Sequence, residues 1–441
     1  MEMTSVYLLK AIATAFDADY SLLQALKYEF DKHVYYYGQH FRHPYESSKD
    51  HGLIVKKFQE NVVRFSQVAA FLKSHPDWAS PPVLSDPRPA IVCGAYYDWR
   101  GALEKSGWQT HVPLWMPAQP GNQVENLIRI LCALLNELFP LHYQILLNKE
   151  FHSALREITQ ILRQYYSHPA FRAIMVAYTN PFFECTATRL FRDLGKTTYL
   201  AVHGLLGNYS WWRNGEHPTI DYYVVWGEKT KRHLVEAGMR PDQVLVSGHP
   251  DYQGCKTEVL RFGLENILVL GRSVSGAPGF NNPIYQNRGD SLEYLYRLQI
   301  ALRKVGIRRV RLRPHPAESP AWYQEFVDSS FFDLNTDPLP KALEASSLVI
   351  GPMSTVFIES LGHGVNYVVF EPNDEYYNPG GVFYHLRVDS PFDGSDPRVP
   401  VAKNEEQLLV ILKNRKAVDI SCIPDYIQPT FSPDVIRERR H

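Results

Sequence analysis

The chain has 441 residues, a length that suits two or three domains of ordinary size. With 45% hydrophobic and 21% charged residues it has globular composition, which excludes a disordered chain. A balance of 46 Lys+Arg against 47 Asp+Glu, net charge -1, excludes the strong basic excess of a bulk nucleic-acid binder.

Residues 1 to about 75 read as helices, with apolar positions at three- and four-residue spacing. Lys10 interrupts the first apolar run and Asp17 and Asp19 close it, a poor pattern for a signal peptide. Asp17-Ala18-Asp19 has the DxD form of metal-dependent glycosyltransferases. It lies between two helices, so it reads as a surface turn whose acids cap the next helix. His75–Pro89 contains five prolines and is irregular. An alternation follows: strand PAIVCG, helix GALEKSG, strand THVPLW, a helical pair over 123–166, strand FRAIMV, helix FFECTATRLFRDLG, strand TTYLAV, strand DYYVVWG, helix EKTKRHLVEAG and strand QVLVSG. Leu127 to Leu147 is the most apolar stretch, but Arg129, Glu137 and Pro140 make it a poor membrane span. The pattern pauses around Pro250–Phe262. It restarts with strand NILVL, helix SLEYLYRLQIALRKVG, strand RRVRLR, helix AWYQEFVDS, strand FFDLN, helix LPKALEAS, strand SLVIG, helix STVFIESLGHG and strand VNYVVF.

Two sets of strand–helix units imply an α/β protein with two Rossmann-like, doubly wound domains facing across a cleft. The expected division is 1–255, helical over 1–80; then 256–425; then a tail helix over 426–441, with Ser432 as N-cap before Pro433. Five scattered cysteines (Cys93, Cys132, Cys185, Cys255, Cys422) lack CxxC or metal spacing and fit buried thiols in a reducing compartment. The protein is therefore expected to be soluble and cytoplasmic. Arg437, Arg439 and Arg440 form a small basic terminus that could touch anionic lipid peripherally at an inner membrane.

In parallel sheets, ligands bind beyond the carboxyl ends of the strands. Arg313 and His315 leave one such end in RLRPHP, where Pro314 and Pro316 stiffen the turn. Ser354 and Thr355 open a helix at another, so hydroxyls and helix amides meet there as in an anion site. Each has an ordinary reading too, His315 as a turn histidine and Ser354 as a helix cap. GRSVSGAPG (Gly271–Gly279) lacks both dinucleotide and Walker spacing, but Arg272 within it could meet phosphate or carboxylate. In the first half, strand-end candidates for a base are Asp98 in AYYDWRG, Glu184 after VAYTNPFF and His203 in LAVHG. Their ordinary readings are a turn-capping carboxylate, a solvated helix residue and a histidine bonded to backbone. The aromatic clusters Tyr35–Tyr37, Tyr96-Tyr97-Trp99 and Trp211-Trp212 read as core more readily than as sugar platforms.

An HP pair after a strand, followed by a Ser/Thr pair heading a helix, resembles the bacterial sialyltransferases of the GT-B fold. It also resembles the capsule-type Kdo transferases and the CDP-glycerol glycerophosphotransferases. The resemblance spans roughly 200–375, from AVHG and VVWGEKTKRHLVEAG through SGHP to the Ser/Thr helix. It implies a GT-B glycosyltransferase that moves an acidic sugar, a sialic-acid-like nonulosonate or Kdo, from a CMP-linked donor to a glycan or other hydroxyl acceptor. No metal, cofactor or nucleic acid is implied. On this resemblance His315, Ser354 and Thr355 bind the donor phosphate. Asp337 is the nearest match to the acid that holds the cytidine ribose, with Glu344 second. The D/E-D/E-G motif of sialyltransferases is matched only loosely at Asp98, because Trp99 and Arg100 precede the glycine. His203-Gly204 matches the HG turn of the glycerophosphotransferases and is the preferred base. The alternatives are glycerol-phosphate transfer from CDP-glycerol, a UDP-sugar transferase, or a non-catalytic sugar- or nucleotide-binding protein.

Overall fold

The structure, a computed structural model, describes residues 2–25, 70, 74, 86–116, 149–178, 182–202, 204, 219–236, 238–252, 259–271, 285–315, 320–372 and 391–437. It opens with α1 (Glu2–Ala15) and α2 (Tyr20–Ala25). The rest of the expected N-terminal helices, and the first member of the 123–166 pair, lie outside the described residues. Asp19 accepts from the Ser21 amide at 2.8 Å at the head of α2, a capping role for the DxD-like turn. Arg189 reaches the Ser21 carbonyl at 2.7 Å, and Leu9, Ile12 and Leu23 are buried in the first domain's core.

The first sheet is built from β1 (Ala90–Gly94), α3 (Arg100–Lys105), β2 (Gln109–His111), α4 (Lys149–Tyr166), β3 (Phe171–Val176), α5 (Phe182–Asp193), β4 (Thr197–Ala201), β5 (Tyr222–Val225), α6 (Glu228–Glu236) and β6 (Val244–Val246). The second comprises β7 (Ile267–Leu270), α7 (Tyr285–Lys304), β8 (Val310–Arg313), α8 (Pro320–Phe326), β9 (Phe332–Leu334), α9 (Leu339–Glu344), β10 (Leu348–Gly351), α10 (Val356–Gly362), β11 (Tyr367–Phe370), β12 (Val401–Ala402) and α11 (Glu405–Lys413). All pairings are parallel, and the strand orders are β2-β1-β3-β4-β5-β6 and β12-β11-β10-β7-β8-β9. Both are doubly wound Rossmann-type orders, so the chain is an α/β protein of two such domains, as expected.

Both faces of each sheet are covered, which is why the strands are apolar throughout. The two-residue side-chain period sorts them. In β1, Ala90 and Val92 join one core while Ile91 and Cys93 join another; in β7, Leu268 and Leu270 face away from Ile267 and Val269. In α4, Phe151, Leu155, Ile158 and Leu162 form the buried stripe of a surface helix. Among the described residues no helix is long and apolar enough to cross a membrane.

The C-terminal end differs from expectation. After α12 (Ile423–Tyr426) the chain makes only a 3-10 turn, Pro433–Val435, and the Ser432 side chain caps nothing. The Ser432 amide instead donates to the Ser247 carbonyl at 2.7 Å, so this segment is a strap returning to the first domain. Arg439 and Arg440 lie outside the described residues. The short β12 and the helix α11, capped by Asn404 on the Gln407 amide, were not anticipated.

Candidate functional site

A doubly wound sheet has one place where the chain reverses its direction of strand addition, and the loops leaving the two strands there diverge into a crevice. In the first sheet this switch point lies between β1 and β3, and in the second between β7 and β10. The loop after β1 carries Tyr97 and Asp98, and Glu184 lies in the first turn of the helix after β3. The loop after β10 carries Ser354 and Thr355. Arg272, after β7, and His203, after β4, lie outside the described residues.

Buried groups shape the Ser/Thr loop. The Tyr367 hydroxyl donates to the Pro352 carbonyl at 2.6 Å, and a Cβ on Gly351 would collide with that phenol. Buried Glu371 accepts from the Met353 amide, and Ser354 Oγ accepts from the Val356 amide at 3.2 Å. Thr355 sits at the N-cap of α10, a helix of seven residues. With the Met353 and Val356 amides already engaged, this loop presents hydroxyls rather than a row of helix amides.

Beside this loop, β8 alternates buried Val310 and Leu312 with half-buried Arg311 and Arg313. Arg313 donates to Asn335 Oδ1 at 3.4 Å and to the Asp337 carbonyl. Among the described residues no carboxylate lies within ion-pair distance of it. Desolvation lowers its pKa, while the charges of Glu359 and Asp337 oppose that shift. The Asp337 carboxylate accepts from Lys341 at 2.8 Å and from Asn335 at 3.1 Å, and the Lys341 contact holds it below the ordinary carboxylate range. His315 is exposed, yet neighbouring atoms desolvate its ring enough to lower its pKa and favour the neutral form. Glu344 is exposed at the far end of α9.

Three side chains that sequence reasoning passed over join this site. Glu359 is half-buried on α10, one turn beyond Thr355 and so on the same helix face. Burial raises its pKa, and the charges of His363 and Arg313 pull it back. Its four-residue spacing from Thr355 was visible in STVFIES. Tyr97 reaches from the first domain to pack against the second domain's apolar cluster; burial raises its pKa, with the charges of Glu359 and Asp251 adding to the shift and the Thr355 side chain opposing it. His249, the histidine of SGHP, is buried edge-on to Tyr97 at 4.2 Å and to Trp226 at 4.4 Å. Its Nδ1 accepts from the Asp251 amide at 3.0 Å, and burial depresses its pKa to about 4. Tyr97 and His249 both follow strand ends, and His249 lies in SGHP, but their grouping depends on which loops meet across the domains.

The first-domain carboxylates differ from each other. Asp98 is exposed, caps α3 through the Arg100 amide at 3.0 Å and pairs with the Arg100 side chain at 2.9 Å, which lowers its pKa. Trp99, which separates Asp98 from the glycine, is buried against Phe431, so this stretch serves the core where the motif would carry a second acid. Glu184 is half-buried next to Trp115, and desolvation raises its pKa. Among the described residues no three His, Cys, Asp or Glu side chains converge as they would around a metal ion.

No known protein family matches the sequence, and no curated protein matches it. Among solved structures, the chain is similar to a Listeria monocytogenes protein assigned as a UDP-N-acetylglucosamine 2-epimerase, at 13% identity and a TM-score of 0.44, covering 79% of this chain and 93% of that one. It is similar to the lipopolysaccharide outer core galactosyltransferase WaaB at 10% identity and a TM-score of 0.40, covering 78% and 96%. It is also similar to the wall teichoic acid polymerase TagF at 13% identity and a TM-score of 0.36, covering 86% and 91%.

Proposed function

We propose that the protein is a GT-B-type glycosyltransferase that binds a nucleotide-activated sugar on its second domain and a hydroxyl acceptor on its first. The reading rests above all on Arg313, a half-buried guanidinium at the carboxyl edge of the second sheet whose direct partners are neutral oxygens. A cation so placed is matched by an incoming phosphate. His315, Ser354 and Thr355 surround the same edge with hydrogen-bonding groups, and Asp337 and Glu359 offer carboxylates for ribose or sugar hydroxyls. Arg272 would add a second guanidinium.

The donor in this proposal is a CMP-linked acidic sugar. The acceptor oxygen forms a bond to the anomeric carbon as the bond from that carbon to the phosphate oxygen breaks, and CMP leaves with the electron pair. Arg313 and the hydroxyls stabilise the negative charge that grows on the phosphate. The acceptor proton passes to His203, the preferred base. Asp98 is the weaker substitute, because Arg100 holds its carboxylate at low proton affinity, and Glu184, raised by desolvation, is the stronger.

The test is a thermal-shift series with CMP, CDP, UDP and GDP. A nucleotide at a hundred times its Kd stabilises the native state by about 2.7 kcal/mol. CMP should raise the melting temperature, and His315→Ala should weaken CMP binding by roughly tenfold or more with the fold intact. A response to CDP or UDP alone would move the donor to CDP-glycerol or a UDP-sugar. Silence with all four would overturn the reading.

A further inference from the structure

We propose that Tyr97 is a donor-contacting residue supplied by the first domain, its hydroxyl hydrogen-bonding the phosphate of a nucleotide held by Thr355. The proposal rests on the reading of the second domain as a nucleotide-binding domain. It starts from topology. Tyr97 leaves the switch point of the first sheet and Thr355 leaves the switch point of the second, and Tyr97 packs against the same second-domain apolar cluster as Met353 and Val356, which flank the Ser354–Thr355 pair. The loop that leaves one switch point is therefore packed onto the domain that carries the other.

The ring is fixed from several sides. It packs edge-on against His249 at 4.2 Å, Tyr96 at 5.0 Å and Trp226 at 5.7 Å. It also packs against apolar clusters of both domains. His249 is held in turn by the Asp251 amide. A phenol clamped in this way holds its hydroxyl in one place without losing further freedom when a ligand binds. Burial, helped by the charges of Glu359 and Asp251, keeps it protonated, so it presents a donor to a phosphate oxygen. His249 and Trp226 act through Tyr97 and are positioning residues.

The consequence is that nucleotide binding draws on both domains, with the acceptor side contributing a bond to the donor. The experiment compares wild type, His315→Ala and Tyr97→Phe for binding of CMP, CDP and UDP, and of the matching nucleoside, by calorimetry. Phenylalanine keeps the ring and its packing, and the melting temperature of each ligand-free variant checks the fold. Tyr97→Phe should weaken the nucleotide that binds wild type by roughly tenfold, while leaving cytidine or uridine binding unchanged. Weakening by His315→Ala with no weakening, or a tightening, by Tyr97→Phe would overturn the Tyr97 assignment and leave the nucleotide site standing. An equal loss for nucleotide and nucleoside would also overturn it, because the effect would then not lie at the phosphate. If none of the three nucleotides binds wild type, the parent reading falls and this proposal with it.

Discussion

His249 lies between Trp226 and Tyr97 with its Nδ1 accepting from the Asp251 amide, so the proton of the neutral ring resides on Nε2. Protonation of Nδ1 would set two donors against each other in a buried place. The folded pKa of about 4 lies below the ordinary 6.5 of the free side chain. Between those values the unfolded chain takes up a proton that the folded chain does not, so stability falls as pH drops from 6.5 towards 4 and levels off below. One pKa unit corresponds to about 1.4 kcal/mol, so roughly 2 kcal/mol should be lost by pH 5. His111 and His315 are shifted the same way by desolvation and steepen the same limb. His249→Asn keeps an acceptor for the Asp251 amide and cannot titrate. Urea melts at pH 7 and pH 5 should therefore show a smaller loss in the variant than in wild type; an equal loss would mean that His249 is already solvated in the native state.

The strap shows how an element can be held by contacts that no local sequence pattern encodes. Gln428 N donates to the Trp226 carbonyl at 2.8 Å, Trp108 Nε1 to the Ile436 carbonyl at 2.9 Å, and the Tyr199 hydroxyl to the Arg437 carbonyl at 2.7 Å. At its base, buried Asp396 accepts from Arg398 at 2.8 Å and from the Tyr426 hydroxyl at 2.9 Å. Lys229 of α6 donates to that same hydroxyl at 2.9 Å. Trp108→Phe removes the donor of a buried bond and should cost about 1–3 kcal/mol in urea unfolding; an unchanged midpoint would mean that the strap is not bound there. The sequence around Ser432 and Pro433 has the grammar of a helix start, but the Ser432 amide is committed to Ser247, far away in sequence. The strands were legible for the opposite reason: runs such as AIVCG and LVIG must be buried on both faces, and their length and flanking turns say so. A strand of two residues, Val401–Ala402, has no period to read. Arg313, His315, Asp337, Ser354 and Thr355 could be nominated from sequence because each lies at or after a strand end, where the structure places them. Tyr97 and His249 follow strand ends as well, but they and Glu359 were passed over because their grouping follows from strand order and not from any one segment.

At the scale of the whole molecule, the two domains share their cores through the chain that crosses between them. Trp226, at the exit of β5 in the first sheet, is buried in the second domain's cluster with Cys422, Ile423, Tyr426 and Ile427. A few residues on, the strap gives Phe431, Val435 and Ile436 to the first domain's cluster with Trp99 and Trp108. Neither core is complete without a residue from across the boundary, so calorimetry should show one cooperative unfolding transition for the two domains. Gly227 is the place to test this. A Cβ there would lie within 2.5 Å of the Tyr426 carbonyl oxygen and 2.8 Å of the Ile427 amide nitrogen, which are backbone atoms that cannot swing aside. Gly227→Ala must push the strap away from Trp226 and stretch the Gln428 bond, at a cost of about 1–3 kcal/mol. Because the displaced segment is the one shared by both cores, the single transition should split, with the first domain melting separately. Gly101→Ala is the control: beyond its chain neighbours and its own helix backbone, nothing lies within 4 Å of its added Cβ on α3, and it should leave one transition, stabilised by up to about 1 kcal/mol. A single transition at the wild-type temperature in Gly227→Ala would mean that the domains are coupled through the Tyr97 seam alone, with the strap only lying alongside.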